Sequence, residues 1–302
     1  MRRGRRSLLA ALPIAAVVAA GLLAPRAFSY LGNLSGLAPS GPVRAPVHGS
    51  VVPCPGPDAI TVLVIGQSNA GNHIPGRANA AAPFATMITD GGCRPLQDPV
   101  TGASGLDGSL WPPFADALHL ATGQPVSVLS AAIGGTAVAS WVPPFGHAVV
   151  GLGRRVAAAR RLGQDIDLVI WVQGESDNLN ETRAGTYAAQ LTRVIAHVDR
   201  MTGGAPWLVT RTSLAMGRPA SPEVRAGQDL VIARMVHVHA GTDTDRFDQV
   251  PGQRHDGVHF TRSAGGAVAR DLARRAAAIL QPDPAAPCAD RAPGPSLQKC
   301  RP

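Results

Sequence analysis

Residues 60–69 read Ile-Thr-Val-Leu-Val-Ile-Gly-Gln-Ser-Asn, an apolar run that ends at a glycine followed by three polar residues. The apolar part is short and rich in β-branched side chains, which is typical of a strand buried on both faces. We predict a strand over residues 60–65, with Ser68 just beyond its carboxyl end. A serine there either caps the next helix or projects its hydroxyl towards a ligand.

The same alternation continues along the chain, because apolar runs are followed by segments with helical periodicity. The predicted further strands cover residues 126–133, 168–172, 207–210 and 236–239, and the predicted helices cover residues 114–121, 149–162, 186–201, 222–234 and 262–280. Repeated β–α units of this kind predict an α/β fold in which helices cover both faces of a parallel sheet.

Composition divides the 302 residues into four segments. The chain is 45% hydrophobic and 16% charged, which suits a globular core and excludes a disordered chain. The folded domain is predicted over residues 59–280. Residues 29–58 are rich in proline and glycine and predict an extended linker, and residues 281–302 predict a proline-rich tail.

The N-terminus has the pattern of an export signal. Four arginines within residues 1–6 precede 17 residues without a charge, residues 8–24. We predict that residues 1–28 are a signal peptide or a signal anchor, and cleavage stays open. Either case places the rest of the chain outside the cytoplasm, secreted or attached to the membrane through this segment.

The net charge of +8 is concentrated at the two ends of the chain. Five of these charges lie in the first thirty residues and two lie after residue 287, which leaves +1 for residues 31–287. Proteins that bind nucleic acid carry a basic surface, so we expect no nucleic-acid partner. Lys299 is the only lysine, which excludes Schiff-base chemistry in the domain.

Four cysteines follow the predicted export signal, and their even number favours disulfides in an oxidising compartment. Three pairings remain open, of which Cys54–Cys93 and Cys288–Cys300 are favoured because each closes a local loop. A zinc site is the competing interpretation. No two of these cysteines have CxxC spacing, so we predict no metal.

Polar residues follow three of the predicted strands and precede the last helix, at residues 66–69, 134–136, 173–177 and 256–261. The carboxyl ends of parallel strands meet at one edge of a sheet, where functional residues of such folds gather. The four clusters therefore predict a site at that edge.

Ser68, Asp256 and His259 suggest nucleophilic catalysis when taken together. Asp256 and His259 are three residues apart, so their side chains can meet, and an aspartate on one imidazole nitrogen leaves the other to accept a proton from serine. Taken singly, Asp256 could be a helix cap and His259 a core histidine. Four nearby residues are interpreted as loop residues instead: Asp243, Asp245, Asp248 and His255.

An oxyanion hole needs donors aimed at the developing negative charge. The candidates are the N–H of Ser68, the N–H of Gly135 or Gly134, and the side-chain amide of Gln173. The glycines could instead serve only as a tight turn, and Gln173 could be a buried amide that bridges two loops.

Four further residues flank these positions and are predicted to support the site: Gln67, Asn69, Glu175 and Asp177. The last two could form the acid pair of a glycosidase, but they are only two residues apart on one loop. We expect them to hold neighbouring loops instead.

The motifs Gly-Gln-Ser-Asn, Gly-Gly-Thr, Gln-Gly-Glu-Ser-Asp and Asp-Gly-Val-His-Phe-Thr resemble the sialate O-acetylesterase and acetylxylan esterase branch of the SGNH (GDSL-like) hydrolases, over about residues 59–280. The resemblance implies a flavodoxin-like three-layer α/β/α sandwich with a central parallel sheet and no cofactor. It also implies that Ser68 is the nucleophile, His259 the general base and Asp256 its orienting partner. Gly135 and Gln173 would complete the oxyanion hole, although the wider superfamily has Asn at the position of Gln173.

The expected activity is hydrolysis of O-acetyl esters on an acetylated carbohydrate, through an acetyl-enzyme. Two alternatives remain open at this point. One is an esterase or acyltransferase acting on other small acyl esters. The other is a non-catalytic carbohydrate-binding module of the cell envelope.

Overall fold

The computed structural model describes residues 44–248 and 252–281. Within these ranges, seven strands form one sheet: β1 Ile60–Gly66, β2 Thr86–Thr89, β3 Gly92–Pro95, β4 Val126–Ser130, β5 Leu168–Val172, β6 Trp207–Arg211 and β7 Val238–Asp243. The described part of the chain also contains six α-helices: α1 Trp111–Thr122, α2 Leu152–Arg161, α3 Glu175–Leu179, α4 Ala184–Thr202, α5 Pro222–Arg234 and α6 Arg262–Leu280. The predicted strands and long helices are present, with ends shifted by a few residues.

The strand order is β3-β2-β4-β1-β5-β6-β7, and each pairing is parallel except that of β2 with β3. The five predicted strands, taken in chain order, lie in the order 2-1-3-4-5 that is typical of flavodoxin-like sheets. The predicted α/β fold with a central, mostly parallel sheet is therefore confirmed.

The two faces of the sheet bury separate apolar clusters. Val62 and Val64 of β1 pack with α1 and α6, whereas Leu63 and Ile65 of the same strand pack with α2, α4 and α5. Successive side chains of a strand point to opposite faces, so a continuous apolar strand supplies both clusters. This arrangement is the predicted three-layer sandwich.

The hairpin of β2 and β3 is a feature that the sequence analysis missed. Its turn is Asp90-Gly91, a dipeptide that favours two-residue hairpin turns. Each strand has only four residues, too few for the alternation of side chains to stand out. The hairpin extends the sheet beyond β4.

The linker over residues 29–58 stays a prediction, although its described part, residues 44–58, forms hydrogen bonds with the domain. The Ala45 amide donates to the Ala103 carbonyl, and the Val52 amide donates to the Cys93 carbonyl, both at 2.9 Å. The segment is extended, as its composition predicts, but its backbone groups pair with the domain. Residues 29–43 lie outside the described residues.

The predicted disulfide between Cys54 and Cys93 is confirmed and ties this segment to β3. The other predicted pair, Cys288 and Cys300, and the signal segment, residues 1–28, lie outside the described residues. Within the described ranges, none of the helices has both the length and the apolar character needed to cross a membrane.

Candidate active site

Strand β1 delivers Ser68 to the carboxyl edge of the sheet. Gly66 has φ +138°, and a Cβ atom there would lie 2.1 Å from the Val172 carbonyl oxygen, so this close approach to β5 requires glycine. The chain then turns into a short 3-10 helix, Ser68–Ala70. Ser68 is buried and its side chain does not cap that helix. Among the described residues its hydroxyl has no hydrogen-bond partner, so the cap interpretation is wrong.

Asp256 and His259 meet on the loop before α6. His259 Nδ1 lies 2.6 Å from Asp256 Oδ2, which assigns the proton to Nδ1 and leaves Nε2 able to accept one. The helix cap is Thr261, whose side chain accepts from the Ala264 amide, so Asp256 does not serve in that role.

Asp256 stays ionised because its loop supplies donors. Burial opposes its charge, but the amide and ring of His259 and the amide of Val258 outweigh that cost and hold the pKa of Asp256 well below its usual range. Its Oδ1 accepts from both amides, at 2.7 Å and 3.0 Å. The carboxylate is therefore fixed in position to orient the imidazole.

Contacts between loops bring the serine and histidine segments together. The Asn69 side chain donates to the Val258 carbonyl over 3.2 Å, and the His73 ring stacks on the His259 ring with centroids 4.9 Å apart. The residues next to Ser68 and those next to His259 thus touch at one site. In the described part of the chain, however, no hydrogen bond joins the Ser68 hydroxyl to His259 Nε2. Catalytic hydrogen bonds of this kind often form only when substrate is bound.

The glycine pair after β4 lies beside the serine. A Cβ atom on Gly134 would lie 3.5 Å from the Ser68 Cβ, and the Gly134 amide donates to the Ser104 hydroxyl over 2.7 Å. Gly135 is exposed, with φ +71°. Among the described residues, the amides of Ser68 and Gly135 have no acceptor. Of the two glycines, Gly135 therefore has the available donor.

The side-chain amide of Gln173 contacts internal acceptors in the structure, and its donation to a substrate stays a prediction. Gln173 is fully buried, and its Nε2 contacts the Asp177 carboxylate at 2.6 Å, the Thr136 carbonyl at 3.0 Å and Gln67 Oε1 at 3.2 Å. Its Oε1 accepts from the Tyr187 hydroxyl. Both amide protons are thus committed to internal acceptors, and Gln173 is the buried bridge between loops that its residue type also allowed.

Gln67 and Asp177 hold the loops behind the serine. Gln67 Oε1 accepts from the amide of Ser176 over 3.2 Å, and Asp177 accepts from the Val138 amide over 2.7 Å and from the Thr182 hydroxyl over 2.8 Å. Burial raises the pKa of Asp177. These contacts agree with the predicted role of holding loops and not with a glycosidase pair, which must face a substrate.

An open cavity of about 480 Å³ lies beside the Asp256–His259 pair. Its lining includes His73, His255, Asp256 and His259. His255, Asp256 and His259 place one potential metal-ligand atom each within 4.8 Å of one another, although Asp256 and His259 already bond to each other. The absence of a metal stays a prediction.

One known protein family matches most of the domain. Residues 93–278 match the model of a family described as carbohydrate esterase, sialic acid-specific acetylesterase. The chain belongs to this carbohydrate esterase family. It is therefore a carboxylic ester hydrolase, and the resemblance stated from its motifs is confirmed. The match includes Asp256 and His259 and begins after Ser68.

Several solved structures are similar to this esterase, and the first of them shares its fold. A protein from Arabidopsis thaliana has a TM-score of 0.58 and 17% identity, covering 72% of this chain and 97% of its own. A carbohydrate acetylesterase from Sinorhizobium meliloti has a TM-score of 0.46 and 16% identity, covering 73% and 99%. One from Xanthomonas citri has a TM-score of 0.45 and 17% identity, covering 72% and 56%. A search of curated protein sequences found no match.

The esterase site contains three residues that the sequence analysis missed or undervalued: His73, Ser104 and His255. His73 Nε2 lies 3.3 Å from the Ser104 hydroxyl, and His255 Nε2 lies 3.1 Å from the His73 carbonyl oxygen. Burial, together with the nearby His259, lowers the pKa of His73 to about 4, so its ring is neutral near pH 7. No periodic pattern in the sequence indicates that His73 or Ser104 belongs to the site. Their position in it becomes evident only from the packing of three loops.

Glu175 and Asn69 form a buried pair beneath the esterase site. Glu175 Oε1 accepts from Asn69 Nδ2 over 2.6 Å, whereas Glu175 Oε2 and Asn69 Oδ1 are buried with no partner. Burial raises the pKa of Glu175 to about 7. A proton on Glu175 removes the buried negative charge and turns Oε2 into a donor.

Proposed function

We propose that this esterase removes O-acetyl groups from carbohydrate by a Ser68–His259–Asp256 mechanism. The observation that carries the proposal is the Asp256–His259 hydrogen bond, formed on a loop that contacts the segment following Ser68. An imidazole held in this tautomer has its acceptor nitrogen available for the serine proton.

In the first half of the reaction, Ser68 Oγ attacks the acetyl carbonyl carbon while its proton passes to His259 Nε2. The amides of Ser68 and Gly135 donate to the resulting oxyanion. The carbon–oxygen bond to the sugar then breaks, and His259 returns the proton to the leaving alcohol. Acetyl remains as an ester on Ser68.

In the second half, water attacks the acetyl-enzyme and gives its proton to His259. The tetrahedral intermediate collapses, Ser68 recovers that proton, and acetate leaves. The carboxylate of Asp256 stabilises the imidazolium in both halves without being protonated itself. Gln173 acts behind the site by holding the Gln67 and Asp177 loops, and the oxyanion hole consists of backbone amides.

The lining of the cavity favours small acyl groups on polar alcohols over the alternative of other acyl esters. It consists mainly of histidine, arginine, asparagine and aspartate side chains, whereas a long acyl chain needs an apolar groove. An extracytoplasmic location is supported by the Cys54–Cys93 disulfide, because cytoplasmic thiols are kept reduced. Membrane attachment through residues 1–28 and the absence of a nucleic-acid partner stay predictions.

A serine-reactive fluorophosphonate tests the assignment directly. We expect one adduct, at Ser68, lost in Ser68→Ala and strongly slowed in His259→Ala, with acetate release from acetylated xylo-oligosaccharide lost in parallel. Ser140→Ala is the matched control and retains labelling and turnover, since Ser140 lies on a separate 3-10 turn. An adduct on another residue, or full turnover in Ser68→Ala, contradicts the mechanism. Faster hydrolysis of long-chain than of acetyl esters contradicts the substrate class.

A further inference from the structure

A second cavity, of about 780 Å³, adjoins the candidate active site. Arg77 and Leu106 line both this cavity and the cavity that holds His259. Cavities of several hundred Å³ are the usual size of small-molecule sites. A substrate longer than one sugar unit can therefore extend from the first cavity into the second.

Several polar groups in the second cavity have no internal partner. Among the described residues, no hydrogen bond reaches the guanidinium of Arg44, the side-chain amide of Asn79 or Oε1 of Gln97. Arg77 donates through Nε and Nη2 to the Leu106 carbonyl, which leaves Nη1 available. These groups include both donors and acceptors, as binding of sugar hydroxyls requires.

His48 fixes the orientation of the Gln97 side chain, which lines this cavity. His48 Nε2 lies 2.6 Å from the Pro99 carbonyl oxygen and must donate to it, so Nδ1 accepts from the Gln97 amide at 3.0 Å. That contact turns Gln97 so that its amide nitrogen is occupied and its oxygen remains available. Preorganised groups of this kind bind a ligand at a lower entropic cost.

The charge of the second cavity is positive. Arg44 and Arg77 form no ion pair among the described residues. The single acidic residue of the lining, Asp98, is buried, and its oxygens accept from the Ser109 hydroxyl and the Ala78 amide. Two guanidinium groups beside the cavity thus lack an anionic partner, and guanidinium binds carboxylate with matching geometry.

We propose that this second cavity is a subsite for a carboxylate-bearing sugar unit, adjacent to the unit whose acetyl group is removed. The inference rests on the proposed function, because it places the acetylated unit in the cavity of His259. Arg44 binds the carboxylate, Asn79 and Gln97 bind hydroxyl groups, and Leu106 packs against the ring where the two cavities meet.

The test compares two forms of one substrate: an O-acetylated digalacturonate and the same disaccharide with its carboxylates converted to primary amides. Both forms react at the same serine, so the ratio of their kcat/KM values isolates recognition of the charge. We expect the acid to be preferred about tenfold or more at low salt, and less at high salt. Arg44→Gln brings the ratio close to one, whereas the control Arg270→Gln, on the exposed side of α6, keeps it.

Equal kcat/KM values for the two forms, or a preference unchanged in Arg44→Gln, would overturn the subsite. Hydrolysis of 4-nitrophenyl acetate that depends on Ser68 shows that the proposed function stands even then. If no ester is hydrolysed, titration calorimetry with unacetylated digalacturonate still decides the question. The subsite requires binding that weakens about tenfold in Arg44→Gln, and absence of binding refutes it.

Discussion

The buried pair of Glu175 and Asn69 leads to a prediction about stability and pH. Each side chain has one buried oxygen with no partner when Glu175 is ionised. In Glu175→Gln the amide nitrogen that replaces Oε2 is a donor, and the amide oxygen still accepts from Asn69 Nδ2. The substitution keeps the volume of the side chain and removes its titration.

The size of the effect follows from the pKa of Glu175, which burial raises from 4.5 to about 7. The folded protein holds a proton that the unfolded chain releases above pH 4.5, so the free energy of unfolding falls as pH rises from 4.5 to about 7. One pH unit corresponds to about 1.4 kcal/mol for one proton, so the whole interval amounts to about 3 kcal/mol. The Glu175→Gln variant has no carboxyl group at this position, so its free energy of unfolding does not contain this loss.

Urea unfolding of both proteins at pH 5, 6, 7 and 8 measures the difference. We expect a variant that is about 1 kcal/mol more stable at pH 5 and about 3 kcal/mol more stable at pH 8. Other buried carboxyl groups, such as Asp98 and Asp167, titrate in both proteins and cancel from the difference. Glu181→Gln, which removes an exposed carboxylate, serves as the control. A stability difference that stays constant with pH refutes the reasoning.

Three further predictions concern the site and the disulfide. Asp256→Asn lowers kcat roughly 10³–10⁴-fold, because the amide cannot stabilise the imidazolium, and a loss under tenfold in steady-state assays argues against the triad. Gly134→Ala lowers kcat about tenfold or more, because its methyl group would lie 3.1 Å from the Ser104 hydroxyl oxygen. Circular dichroism checks that the variant is folded. An unchanged kcat would show that this close packing does not matter for catalysis. Replacing Cys54 and Cys93 by serine removes a crosslink between residues 39 positions apart, and we expect it to lower the free energy of unfolding by about 4 kcal/mol. Urea denaturation measures this change. An unchanged midpoint argues that the disulfide does not constrain the unfolded chain.

Local features of the sequence determined the layered fold and part of the site. The apolar strands had to be buried on both faces, which requires helices on both sides of a parallel sheet. Asp256 and His259 are three residues apart, so their hydrogen bond depends on one loop only. The Cys54–Cys93 pair was favoured on the same ground of a local loop.

Contacts between distant segments were decided only by the tertiary structure. Gln173 has the side chain of an oxyanion donor, but buried acceptors from three other loop residues take its protons once the sheet is formed. His73 and Ser104 join the site, and residues 44–58 join the domain, through pairings that no short-range pattern encodes. The type of a residue determines which hydrogen bonds its side chain can form. The groups that pack around it in the folded protein determine which of those hydrogen bonds it does form.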